Sequence, residues 1–510
     1  MNNNGWYRII ESIKFSLGML FIGFILMRIG SINTNGEIIS LVISMCGYSG
    51  KLIVDLFPFI LAINYVGKTY NDVIVVIATI ISYTLLNVVT MFYAKTSFDS
   101  NYYKAILGLS YETISAANNP ITKYPLNLGI IASIIVIMII KLAYKISRKR
   151  YNYGMFVFID NDVWFLLITF VFTAVVGILL SHEYGHLVMI LNNVMNWIST
   201  NNSNPAVMFV YGIIRQFLNA LGMEEIITNK FLFGNLGGSW ITPADVTILG
   251  DVNIWIEQYK INSVSIGTGR YISASYVVNI FAIPSLILAY YLNISDKIER
   301  SRALGLVIIG IIASLFGAAT LPMELVLMLT APVLLGIHII ICGLLYLACG
   351  LTNTYLGCGA FGNPKYLATG NIYELIKYSS DADLLPNIYR LLIIGAIVFV
   401  VYQLAVFIFY KVLAFYFLEK EKQTIEVRQY IENLGGISNI KKITSSATAL
   451  IVVLYDKHKI NADNIIAGKA YKVVERYYGY IINYGPGSNA LRRKISKEIE
   501  NYKDCLEYKV

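Results

Sequence analysis

The stretch ILLSHEYGHLVMILN places His182, Glu183 and His186 at the end of a long apolar run, in a chain with only 4 histidines. Imidazoles at i and i+4 share one face of a helix and can hold one Zn²⁺. A glutamate beside the first can take the proton of a metal-bound water, with the metal as Lewis acid. Such a centre needs a third protein ligand and an open position for water. Downstream acids that could serve are Glu324 in LFGAATLPMELVLML, and Asp245 and Asp251 in a loop. Of these Glu324 is preferred. An unpaired carboxylate in so apolar a setting is expensive, and a metal with two neutral imidazoles would compensate it. His338, in LLGIHIIICG, reads as a polar residue bonded within a bundle, and His458 as a surface residue.

The elements that must position these residues are membrane spans. The chain has 510 residues, 56% of them hydrophobic and 14% charged, with a mean hydropathy of +0.62. A soluble domain carries about 25% charged residues, so the deficit marks a polytopic membrane protein. Apolar spans fall at roughly 15–31, 52–66, 72–94, 127–144, 163–191, 271–292, 304–330, 331–349 and 391–413. The second is short and is interrupted by Asp55 and Pro58, which suits a re-entrant segment. The first lacks a cleavage site after its apolar run and reads as a retained helix.

The expected fold is therefore an all-α polytopic membrane protein of about 8–9 transmembrane helices with a small soluble α+β C-terminal domain. Its parts are an N-terminal transmembrane bundle (1–150), a core (151–349) with a polar loop at 195–265, a loop and final span (350–417), and the soluble domain (418–510). In the polar loop, FLFGNLGGSWITPADVTILGD predicts a short hairpin. In the C-terminal domain ATALIVVLY predicts a strand and NADNIIAGKAYKVVERYYGYI an amphipathic helix. Cys46, Cys342 and Cys349 lie in or beside apolar segments and read as core residues rather than disulfides.

The net charge of +9 is no case for nucleic acid. Sixteen Lys and Arg occur from Leu418 onward, which places the tail on the cytoplasmic side of a cell membrane. KISRKR (145–150) would then face outward, against the same rule.

Two depths agree. Glu324 lies about 20 residues into the span from Leu304, as His182 lies about 19 from Val163, so at 1.5 Å per residue the two would reach similar heights. With HEYGH in place, the chain resembles the site-2 protease family of intramembrane zinc metalloproteases. The Asn…Pro…Leu-Asp-Gly motif of that family has its counterpart in LFGAATLPMEL, with Gly317 for Asn and Glu324 for Asp, one residue out of register. NIFAIPSLIL from Asn279 matches the frame better but carries Ile287 where the Asp belongs. The resemblance covers about 163–349. It implies cleavage of transmembrane segments of other membrane proteins, Glu183 as base, His182, His186 and Glu324 on Zn²⁺, and a hairpin edge that holds the substrate. The expected partners are the lipid bilayer, a membrane-protein substrate, and a regulator or second copy docked through the C-terminal domain. The alternative is a membrane transporter or channel whose HExxH is structural or binds an ion, for which paired broken helices in a repeated arrangement are the expected mark, and the sequence shows no such repeat.

Overall fold

The computed structural model describes residues 4–32, 36–94, 99–114, 120–147, 161–294, 297–361, 368–409, 427–446, 449–467, 470–477, 479–485, 488, 491–496 and 498–499. Among them seven helices are long and apolar enough to cross a membrane, and two shorter apolar helices accompany them, at Phe15–Gly30 and Ala303–Gly317. The protein is a multi-pass membrane protein with a small α+β unit near its C-terminus.

The N-terminal part comprises α1 (Asn4–Gly30), α2 (Glu37–Asp55), α3 (Phe57–Tyr70), α4 (Val73–Tyr93) and α5 (Gly129–Ser147). Helix α2 includes 37–51, where no span was expected, because Ser, Gly and Lys interrupt its hydropathy. The expected short span at 52–66 is the end of α2 and most of α3. They part at Leu56, where Pro58 opens the next helix because its ring fits a first turn. Glycines let α1 and α2 touch: a Cβ on Gly30 would lie 2.1 Å from Gly47 Cα.

Helix α6 (Asn161–Thr200) is 40 residues long, about 60 Å, twice the thickness of a hydrocarbon core. Helix α7 (Pro205–Ala220) follows, with its N-cap Asn204 accepting from Ala206 N at 2.9 Å. This is the amphipathic piece of the expected polar loop, and it is a core helix. The expected hairpin is present as strands β1 (Ser239–Ile241) and β2 (Thr247–Leu249), antiparallel, with Asp245 in the turn at φ 64°.

The expected span at 304–330 is broken. Helix α8 (Lys297–Gly317) stops before Ala318, which takes φ 52°, and α9 (Leu321–Thr330) starts afresh with Pro322 in its first turn. A non-glycine residue in the left-handed region cannot continue a right-handed helix. A second break at Ala331 leads into α10 (Pro332–Leu351), which packs along α7. The remaining spans are the segment Ser273–Leu292, which carries a π-turn at 278–282, and α11 (Leu385–Ile408).

The C-terminal unit has a four-stranded antiparallel sheet in the order β3–β4–β6–β5, with β3 Ile440–Ser445, β4 Ala449–Leu454, β5 Lys472–Arg476 and β6 Gly479–Asn483. The expected strand is β4. The expected amphipathic helix over 461–481 is corrected to a short helix (Ala462–Ala467) followed by the β5–β6 hairpin. Val473, Val474 and Tyr480 favour the pleated sheet. Gly479 approaches the β4 backbone so closely that a Cβ would lie 2.0 Å from Val452 O. The expected boundary at 417/418 lies outside the described residues.

Two measurements test this packing. Gly212 of α7 sits where a Cβ would lie 2.6 Å from the Tyr346 ring and 3.0 Å from Gly343 Cα. Gly212→Val should cost about 1–3 kcal/mol by overpacking, read as a lower unfolding midpoint of the purified protein in detergent. Buried Asp251 accepts from Gly269 N at 2.7 Å and Tyr271 N at 3.2 Å, outside the membrane spans. Burial raises its pKa to about 7, with the two N–H groups and Arg270 opposing. The folded state therefore binds the extra proton between about pH 4 and 7, and stability falls as pH rises through that window. Asp251→Asn should flatten the dependence of the unfolding midpoint on pH there.

Candidate functional site

The HEYGH residues stand on α6, where Ser181, Tyr184 and Val188 form the packed face and Tyr184 Oη donates to Asn127 O at 2.9 Å. His182, Glu183 and His186 are all exposed on the opposite side. The i, i+4 spacing brings the two imidazoles to one face as expected, but that face points away from the protein.

Glu324 is elsewhere. It is fully buried in the first turn of α9, which packs on α1, α7 and α10. Its Oε1 accepts from the side-chain amides of Gln216 and, at 2.7 Å, Asn219, both on α7. Asn219 also reaches Thr320 Oγ1 at 2.5 Å, across the break between α8 and α9. His338 of α10 presents Nε2 at 3.8 Å from Glu324 Oε1 and 3.3 Å from Gln216 Nε2. Its Nδ1 is 2.6 Å from Tyr402 Oη on α11. Glu324 Oε2 has no hydrogen-bond partner among the described residues. A half-bonded carboxylate in so dry a place is costly unless the helix N-terminus and the amides hold its charge.

Beside Gln216, and about one turn before Asn219, stands a second polar node on α7. Arg215 donates from Nε and Nη2 to Glu224 Oε1 at 2.9 and 2.8 Å, and from Nη1 to Ser275 and Tyr346. A small cavity of about 30 Å³ touches Arg215, Gln216, Asn219, Thr320 and Tyr346. A larger one of about 310 Å³ also reaches Asn219 and Ala318, and is lined by Arg28, Lys51, Asp55, Lys104, Glu224 and Glu225. Lys104 Nζ bridges Asp55 at 2.7 Å and Glu225 at 3.2 Å. Asn219 thus belongs at once to the Glu324 cluster and to a charged cavity beside it.

The other expected residues are dispersed. Asp245 is exposed in the hairpin turn, Asp251 holds a loop backbone, and His458 is exposed. Cys342 and Cys349 are buried free thiols and Cys46 is half-buried. Sequence reasoning passed over Gln216, Asn219 and Arg215. The available signal was three polar residues within VMFVYGIIRQFLNALGM, which are expensive in an apolar helix unless they meet partners.

Among the described residues no three His, Cys, Asp or Glu side chains come together as a metal-holding group. No family model matches the chain. Among solved structures it is similar to the crystal structure of the transporter ChbC, the IIC component from the N,N'-diacetylchitobiose-specific phosphotransferase system. The identity is 12% and the TM-score 0.31, over 80% of this chain and 93% of that one. These findings correct the resemblance to the site-2 proteases, the intramembrane peptidase activity and the zinc centre it required. His182 and His186 are exposed on α6 while Glu324 is fully buried on α9, and the three do not come together as one site. At that TM-score the likeness carries neither substrate nor mechanism to this chain.

Proposed function

We propose that the protein is a membrane transporter, with the cluster of Glu324, Gln216, Asn219 and His338 as the place where a small polar solute or a cation is held in passage. The observation that carries this reading is a fully buried carboxylate with one oxygen unpartnered, at a break between two helices and beside a polar cavity. Unwound backbone at such depth is tolerated where it lines a cavity. The Ala318 and Ala331 breaks bracket α9, so Glu324 rides on a short helix with a backbone break at either end. Buried ionisable residues in membrane helices are functional candidates by default, and here the partner imidazole is in place. The positive tail supports a cytoplasmic C-terminal unit. HEYGH has no part in this reading.

The purified chain in liposomes should take up at least one of a set of labelled probes: Na⁺, K⁺, H⁺ (followed with an entrapped pH dye), glucose, maltose and glycine. Glu324→Gln should lower that uptake by about tenfold or more, since a hydrogen bond to a charged group is worth roughly 1.5–3 kcal/mol. Glu183→Gln and His186→Ala, on the exposed face, should leave it unchanged. Uptake of no probe, or equal uptake by Glu324→Gln, would remove the proposal.

A further inference from the structure

A separate cavity of about 1040 Å³ opens at the ends of two spans, between the 259–268 loop, the turn after α10 and the first turns of α11. Its walls are mostly neutral hydrogen-bonding groups, among them Ser263, Ser265, Thr268 and Asn387, with the rings of Tyr259 and Tyr355. The charged groups are Asp381 and Asp383 against Arg390, which leaves no excess of positive charge for an anion.

The walls are held in place from behind. Gln258, buried at 1% exposure, accepts from Ser265 N and Thr268 Oγ1, each at 3.0 Å, and donates to Ser265 Oγ at 3.0 Å. Asn387 donates to Tyr355 O at 3.0 Å. The Arg270 guanidinium lies 5.7 Å from the centre of the Tyr355 ring and is itself anchored on Asn202 Oδ1 at 2.7 Å. Tyr259 is packed edge-on against Phe361 and Tyr378. A cleft whose side chains are already ordered loses little conformational entropy when it binds.

We infer that this cleft binds a neutral polyhydroxylated solute of the saccharide class. Such a molecule offers many hydroxyl donors and acceptors to the Ser, Thr and Asn side chains, and flat C–H faces to the tyrosine rings. The volume is at the upper end for small-molecule sites, which suits more than one sugar ring. The cleft would capture the solute before it reaches the membrane-embedded cluster. That last step rests on the transport reading, and binding itself does not.

The test is equilibrium binding to the full chain in detergent, followed by intrinsic tryptophan fluorescence. The probes are maltose, cellobiose and sucrose, with glutamate and choline as charged controls. At least one disaccharide should bind and both controls should fail. Ser263→Trp, which fills the cleft from an exposed loop position, and Tyr355→Ala should each weaken binding by at least tenfold, while Ser263→Ala and the unfolding midpoint serve as folding controls. Glu324→Gln should bind as tightly as the unaltered chain. No disaccharide binding, equal binding by Ser263→Trp and Tyr355→Ala, or equal binding of glutamate or choline would overturn the inference. Binding that follows this pattern without any uptake into liposomes would sustain the cleft and fail the transport reading alone.

Discussion

A carboxylate removed from water must be met by fixed dipoles or it will not stay charged, and much of the membrane part is arranged around meeting that requirement at Glu324. The compensation comes from three directions. The amides of Gln216 and Asn219 arrive from α7, the positive end of the α9 helix dipole lies at its first turn, and the imidazole of His338 faces it from α10. Each condition dictates a piece of backbone. Helix α7 must lie against α10, which Gly212 and Gly343 allow. Helix α9 must begin just before residue 324, which the break at Ala318 and Pro322 enforces.

The same helix that supplies the amides also carries Arg215, and its guanidinium ties Glu224, Ser275, Tyr346 and Thr369 together. Consecutive carboxylates then face opposite ways. Glu224 answers Arg215, while Glu225 answers Lys104, which also holds Asp55 at the end of α2. Through this chain of contacts the N-terminal helices are joined electrostatically to the α7 end and to the cavity beside Glu324. Arg215 is buried while Glu224 is half-buried, so removing Glu224 would leave an unmatched guanidinium inside the protein.

HEYGH illustrates how a motif can match in spacing and fail in setting. Two histidines four residues apart do share a helix face, but which face a helix packs depends on its neighbours. Here Ser181, Tyr184 and Val188 are turned to the bundle, and the motif is turned out. The matching of depths fails for a related reason. A straight rise of 1.5 Å per residue from Leu304 to Glu324 requires an unbroken helix, and the chain stops being one at Gly317.

What the sequence determined by itself follows from quantities summed over many residues. Hydropathy over windows of about 20 residues identified most of the spans, the charged tail marked a separate unit, and local turn chemistry placed the β1–β2 hairpin and strand β4. Glu324 was singled out because a lone carboxylate in an apolar run needs a partner, and the structure supplies partners. Which partners could not be read from the chain. Gln216 is 108 residues away from Glu324 and Tyr402 is 64 from His338, and their meeting depends on helix packing. Single backbone angles, such as that of Ala318, are likewise decided by the tertiary fold, because no local preference of an alanine favours the left-handed region.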